Sequence, residues 1–238
     1  MISLDTAPAT LPPGKRVYAV GDVHGCLDQL VALHARIAAD LAARPIAAAE
    51  LVHLGDLVDR GPDSAGVVGL VAAGPPVPGL PSVTLCGNHE HMMLAALSGK
   101  PSEPAALWMD NGGEATLRSW AVPPGTPPAA WAAHIPPAHL AFLRGLLFSH
   151  RVGPYFFAHA GVRPGVPLSL QTRHDLMWIR EPFLSYPGEF GAVVVHGHTP
   201  RAEPEVRHNR IGIDTAAVMG GPLTCAVLEA DQVGFLTA

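Results

Sequence analysis

Three times before residue 99 the chain passes from a short apolar run through a glycine-led polar turn into a helical repeat, and this repetition restricts its fold more than any other feature. "RVYAV" (16–20) ends in "GDVHG" and continues as "CLDQLVALHARIAADLAAR", where Leu27, Leu30, Leu33, His34, Ile37 and Leu41 recur at helical spacing. "ELVHL" meets "GDLVDRGPDS" and then "AGVVGLVAAG", and "SVTL" meets "CGNHE" and then "HMMLAALSG". Strand, turn and helix in succession imply parallel strands joined by crossover helices, with the turns opening along the carboxyl edge of one sheet. Ligands of open α/β sheets bind at that edge.

The second half changes character. "LLFSHRV", "YFFAHA", "AVVVHGH", "RIGIDTA" and "LTCAVLEA" read as strands, some joined by tight turns such as Gly153-Pro154, and "PAHLAFLRGL" is the one clear helix. The expectation is a largely antiparallel second sheet packed on the first, so an α/β class with α+β character in the second half. Between the halves, residues 99–136 hold seven Pro and the segment "WMDNGGEATLRSW". The strand ends on both sides carry similar chemistry, so this segment reads as a cap and not a linker, and residues 1–238 read as one domain without internal repeats. Trp108, Trp120 and Trp131, beside the flexible Gly112 and Gly113, are expected to form an adaptable apolar wall that shapes substrate choice.

Composition excludes several classes. With 48% hydrophobic and 15% charged residues the chain is no disordered segment. Its net charge of -5 comes with two Lys, Lys15 and Lys100, and 13 scattered Arg, which offers a nucleic-acid backbone no basic stripe. Apolar stretches such as "AGVVGLVAAGPP" are too short and too broken by Pro to span a bilayer, and the opening "MISLDTAPATLPPGKR" lacks a continuous apolar core, so a cytoplasmic location is expected. Cys26, Cys86 and Cys225 form no CxxC pair and read as free thiols, Cys26 differing in sitting where a helix starts.

The polar residues gather at strand ends in "GDVHG", "GDLVDRG", "GNHE", "HAG" and "HGHT". One Asp or His in such a place is ordinarily a helix cap or a turn residue. Five such places whose turns converge are not explained by capping. The convergent set is Asp22, His24, Asp56, Asp59, Arg60, Asn88, His89, His159 and His198, a mixture of carboxylate, amide and imidazole without thiolate that suits two hard or borderline divalent cations. Two metals sharing a carboxylate lie about 3.5–4 Å apart. Glu90 and His91 read as settling the helix start or an outer shell, and His53 and His196 as structural or supporting residues.

"GDVHG", "GDLVDRG" and "GNHE", followed by "HAG", "WIRE" and "HGHT", resemble the signature blocks of the calcineurin-like metallophosphoesterases, in their phosphoprotein phosphatase branch and its compact bacterial or phage type. The resemblance covers about residues 16–230 and implies two packed mixed β-sheets flanked by helices, a four-layer sandwich. It implies two divalent metal ions, manganese ahead of iron or zinc, with Asp22, His24 and Asp56 on one and Asp56, Asn88, His159 and His198 on the other. It further implies His89 as general acid, Asp59 as its orienting carboxylate, Arg60 on the phosphate and Arg180 of "WIRE" as a second Arg. Family members carry "DTG" where this chain has "DTAA" at 214–217, which leaves Asp214 without an assigned role.

The implied reaction is phosphomonoester hydrolysis, most simply of phosphoserine or phosphothreonine in proteins, by in-line attack of a metal-bound hydroxide with His89 protonating the leaving alkoxide. A small phosphoester is the other substrate class, and dinucleoside polyphosphate hydrolysis is the rival activity, because a related core could look identical. A thiol phosphatase is excluded: six residues beyond Cys26, Cys86 and Cys225 stand Ala32, Met92 and Asp231, not Arg. A P-loop kinase is excluded because neither Lys stands in a Gly-Lys-Ser/Thr sequence. A scaffold protein with a dead site would have lost a ligand or the acid, and none is lost.

Overall fold

The computed structural model describes residues 3–98 and 103–238. The first four residues of the 99–136 segment therefore lie outside the described residues. In chain order the elements are β1 (Leu4–Thr6), β2 (Lys15–Val20), α1 (Leu27–Ala43), β3 (Ala48–His53), α2 (Ser64–Ala73), β4 (Ser82–Thr84) and α3 (Asn88–Ala96). The intervening segment is helical, with α4 (Glu103–Asp110), α5 (Gly113–Ser119), α6 (Pro128–Trp131) and α7 (Pro137–Arg144). Then come β5 (Ser149–Val152), β6 (Tyr155–Ala158), α8 (Arg173–Trp178), β7 (Val193–His196), β8 (Glu205–Val206), β9 (Arg210–Gly212), β10 (Thr224–Glu229) and β11 (Gln232–Thr237).

The three strand-turn-helix units form as expected: β2, β3 and β4 are parallel neighbours. Their sheet is completed by β10, antiparallel to β2, in the order β1-β11-β10-β2-β3-β4. The second sheet, β5-β6-β7-β9-β8, is mixed and not largely antiparallel: β6, β7 and β9 run parallel, and only the edge strands β5 and β8 oppose them. The reason lies in the connections. Long excursions, not tight turns, join β6 to β7 and β7 to β9, and a parallel neighbour needs such a crossover. "LTCAVLEA" belongs to the first sheet; its apolar run matches either.

Side-chain alternation along the strands builds the layers. On β2, Val17 and Ala19 face the second sheet, where they join Tyr155, Phe157, Val193, Val195 and Ile211. Tyr18 and Val20 point the other way, onto the helical layer with Leu30, Leu33 and Ile37 of α1. On the far face of the second sheet, Phe156, Ala158 and Val194 pack on Leu176, Ile179 and Phe183. The result is four layers with both parallel trios ending at one edge. The short helix α8 escaped the periodicity because six residues give too little pattern; Thr172 caps it by accepting from Asp175 N at 3.0 Å.

Candidate active site

Every polar turn leads to the same place. Asp22 and His24 follow β2, Asp56, Asp59 and Arg60 follow β3, Asn88 and His89 open α3, His159 follows β6 and His198 follows β7. All but Arg60 are buried. Five of the eight non-glycine residues with positive φ among the described residues are in this set: His24, Asp56, Asp59, Arg60 and His198. Such backbone costs about 1–3 kcal/mol per residue and persists only where surrounding bonds over-determine it. Here they do: Glu90, fully buried, accepts from Asp56 N (2.9 Å), Leu57 N (2.7 Å), Val58 N (3.2 Å) and Gly87 N (2.8 Å). Val23 N and His24 N in turn donate to Asp56 O at 3.0 and 2.8 Å.

Asp56 Oδ2 is the hub, with His159 Nε2 at 3.3 Å, His24 Nε2 at 3.5 Å and His89 Nε2 at 3.9 Å. Asn88 Oδ1 stands 2.9 Å from both His159 Nε2 and His198 Nδ1. Two potential ligand groups overlap on Asp56, one with His24 and His89 and one with His159 and His198, each with its donor atoms within 4.8 Å of one another. Asp22 completes the wall, its carboxylate accepting from His198 N at 3.0 and 3.2 Å and so joining the two sheets. The glycines serve close approach: a Cβ on Gly87 would stand 2.0 Å from Asp56 Oδ1, and one on Gly197 2.0 Å from Asp22 Oδ1.

The donor chemistry fits divalent cations. His24 Nδ1 lies 2.8 Å from Val58 O and His159 Nδ1 3.0 Å from Leu54 O, and a carbonyl can only accept, so each Nδ1 carries the hydrogen. A neutral ring then turns its Nε2 lone pair toward the Asp56 carboxylate, an arrangement that a cation between them relieves, and at His24 the Arg60 guanidinium stands beside that nitrogen. Without a metal His159 becomes that cation: against burial, Asp56 and Asp22 push it up to about 10. Burial, only partly offset by Asp56, holds His24 down at about 3, and burial with the charge of His159 holds His198 at about 3. Both are thus neutral and ready to ligate. Burial and the nearby Asp214 push Asp22 well above the usual carboxylate range, a crowding that bound cations relieve.

Beside this cluster His89 Nδ1 meets Asp59 Oδ2 at 2.7 Å. Arg60 Nη1 donates to His24 Nε2 at 2.9 Å. A cavity of about 200 Å³ opens over the cluster, and its wall includes Arg60, Asn111, Trp178, Arg180, Asp214 and Met219. Arg180 is therefore brought to the site, and so is Asp214. His53 and His196 stand outside the ligand groups: His53 Nε2 pairs with His34 Nε2 at 3.0 Å, and the ring of His196 packs edge-on against Phe183. His91 is exposed.

The apolar-wall expectation fails. Trp108, Trp120 and Trp131 are buried in the helical core and do not reach the cavity over the cluster, Trp131 lining instead a separate groove with Met109, Leu117 and Val122; among the described residues of their segment only Asn111 reaches that cavity. They turned inward because α4–α7 pack on α2 and α3 and need large apolar side chains between them. Sequence reasoning also missed Trp108 and Thr116 as partners of Asp59 and residues 216–219 as cavity wall. No spacing rule marks an indole 49 residues on, or a hydroxyl 57 residues on, as the partner of a carboxylate.

The profile of the calcineurin-like phosphoesterases matches residues 15–231. Serine/threonine-protein phosphatase 1 of Salmonella typhimurium is 30% identical over 220 residues, covering 90% of this chain and 93% of that protein. The asymmetrical bis(5'-nucleosyl)-tetraphosphatase PrpE of Bacillus velezensis is 27% identical over 225 residues, covering 86% of each. The crystal structure of a candidate diadenosine tetraphosphatase superposes with a TM-score of 0.65 at 26% identity, over 96% of this chain and 97% of that one.

Proposed function

The chain belongs to the calcineurin-like phosphoesterase family, a phosphoric ester hydrolase, and we propose that it is a two-metal phosphomonoesterase acting on phosphoserine and phosphothreonine in proteins. The observation that carries the reading is the His89–Asp59 pair beside an Asp56-centred ligand cluster. Asp22, His24 and Asp56 would hold one divalent ion and Asp56, Asn88, His159 and His198 the other, manganese being the expected metal. When bound, such ions polarise phosphoryl oxygens and lower the pKa of an attacking water.

The chain's own groups do the rest. Asp59 accepts a hydrogen bond from His89 Nδ1–H and fixes the ring, so that in the protonated imidazole the hydrogen on Nε2, on the side facing Asp56, is the one handed to the departing alkoxide. Arg60 and Arg180 bring two guanidinium forks to the cavity wall for the phosphoryl oxygens. Ligands drawn from both sheets support reading residues 1–238 as one catalytic unit.

Two findings support a phosphoprotein substrate: the likeness to the Salmonella phosphatase and a cavity of about 200 Å³, sized for a phosphoryl group and the first atoms of its ester. The second reading, dinucleoside polyphosphate hydrolysis, is favoured by the likeness to PrpE. With manganese supplied, phosphoserine and phosphothreonine peptides are expected to exceed diadenosine tetraphosphate in kcat/KM. A preference for the dinucleotide by several orders of magnitude would replace the first reading with the second.

A further inference from the structure

Asp59 is held from a direction that the ligand cluster does not require. Its carboxylate is fully buried and accepts three side-chain donors. His89 Nδ1 donates to Oδ2 at 2.7 Å, Thr116 Oγ1 to Oδ1 at 2.6 Å, and Trp108 Nε1 stands 2.9 Å from both oxygens. The last two donors come from α4 and α5. A donor centred between the two oxygens fixes the plane of a carboxylate, and one on a single oxygen fixes which edge faces the ring.

The main chain of Asp59 is tied to α5 and to the start of α2. Its N–H reaches Thr116 Oγ1 at 2.8 Å and Ser64 Oγ at 3.0 Å, and the two hydroxyls lie 3.0 Å apart. Arg60 N donates to Gly112 O at 3.2 Å, in the turn between α4 and α5. Asp59 and Arg60 both have left-handed backbone, with φ of 74° and 69°, so these bonds hold a conformation that the chain would otherwise leave. Trp108 has little freedom of its own: it packs edge-on against Trp131 at 5.6 Å, and a Cβ on Gly113 would come within 2.7 Å of its ring.

We propose that Trp108 and Thr116 are positioning residues of the reaction: through Asp59 they aim His89 Nε2 at the leaving-group oxygen, so that the segment over the site takes part in proton transfer. The inference rests on the reading of His89 as proton donor. A donor held by a second layer of hydrogen bonds loses rate when that layer is cut, typically by about 10–100-fold for outer partners of this kind. The loss should depend on how badly the leaving group needs the proton, which a purely structural role would not produce.

The test measures kcat and KM of the manganese-loaded protein and of Trp108→Phe, Thr116→Val, Thr116→Ser and His89→Ala across substituted phenyl phosphates and an alkyl phosphate. Metal content is read by elemental analysis. Trp108→Phe and Thr116→Val are expected to keep both metals and KM, to lose about 10–100-fold in kcat on the alkyl phosphate, and to lose less than about threefold on p-nitrophenyl phosphate. Thr116→Ser keeps the hydroxyl and should recover most of the loss seen in Thr116→Val. Should Trp108→Phe fail to fold, the isosteric Thr116→Val carries the test alone. Equal losses on all leaving groups, or none, in Thr116→Val while His89→Ala shows a steep leaving-group dependence would overturn the role of the helical segment. A flat profile for His89→Ala itself would overturn the proton-donor reading, and this inference with it.

Discussion

Replacing Glu90 by Gln isolates what holds the Asp56 turn in place. The carboxylate is fully buried; Oε1 accepts from Leu57 N and Val58 N, and Oε2 from Asp56 N and Gly87 N. Gln has the same shape but one acceptor oxygen. Whichever way its amide turns, two backbone N–H groups face an NH₂ group and no water reaches them. Each buried donor left unmade costs about 1–3 kcal/mol, so the loss should be about 2–6 kcal/mol. That is a large share of the roughly 5–15 kcal/mol that holds an ordinary domain together. Urea denaturation of the chelated protein, followed by circular dichroism, reads the change as a shift in midpoint at constant slope. The metal content of the folded variant should fall too, because Asp56 rides on the loosened turn. A loss below about 0.5 kcal/mol with two metals retained would refute the reasoning, since surface substitutions do as much.

Other outcomes follow from the same geometry. Asp56→Asn should weaken both metals, by more than the roughly 10–100-fold typical of outer partners, and elemental analysis finding two tightly held ions would contradict a bridging Asp56. Gly197→Ala removes no ligand, yet its Cβ would stand 2.0 Å from Asp22 Oδ1, so metal content should drop; full metal and unchanged kcat would show that Asp22 has room to move. The His34–His53 pair predicts acid lability. Burial lowers His34 to about 4, and burial with the neighbouring His34 lowers His53 to about 3, against an ordinary value of about 6.5. Between those limits the unfolded chain binds more protons than the folded one, so stability is full above pH 6.5 and falls as the pH drops toward the folded values. Each imidazole should account for about 2 kcal/mol lost by pH 5. In chelated His34→Gln the loss between pH 7.5 and 5 should be smaller by about that amount, and an unchanged loss would count against the pair.

The parallel trio β2, β3 and β4 and the convergence of the polar turns were legible because both are written locally. A strand, a Gly-led turn and a helix follow one another within each unit, so the ends carrying Asp22, Asp56 and Asn88 had to meet. His159 and His198 were legible for the same reason, each standing just past an apolar run. The pairing of β6, β7 and β9 was not, because strand direction depends on long connections whose sequence carries no period. Trp108 was misread for a related reason. A Trp between Pro-rich stretches gives no sign of which side it turns to, and its packing against Trp131 and its bond to Asp59 are decided by distant partners. Glu90 stood in the motif, and its place at the helix start was readable, but the N–H groups of Asp56, Leu57 and Val58 that it gathers belong to another turn.

The tie between Asp59 and the helices above it also limits how interchangeable the parts of this enzyme are. A loop that merely covers a site can be exchanged between relatives, or inserted by an engineer, without disturbing the chemistry beneath it. Residues 103–136 are not such a loop, because Trp108, Gly112 and Thr116 bond directly to Asp59 and Arg60. A transplanted segment would need to reproduce those donors and that acceptor before its recognition properties could be judged. The cavity lip at Ala216–Met219 holds no catalytic group: its side chains are apolar, Met219 is 69% exposed, and Ala216 meets the cavity wall through its backbone N–H, which donates to Asp214 Oδ1 at 3.0 Å whatever the side chain. New substrate preferences are therefore expected to arise by exchange at that lip, with the helical segment passing from one variant to the next as a fixed module.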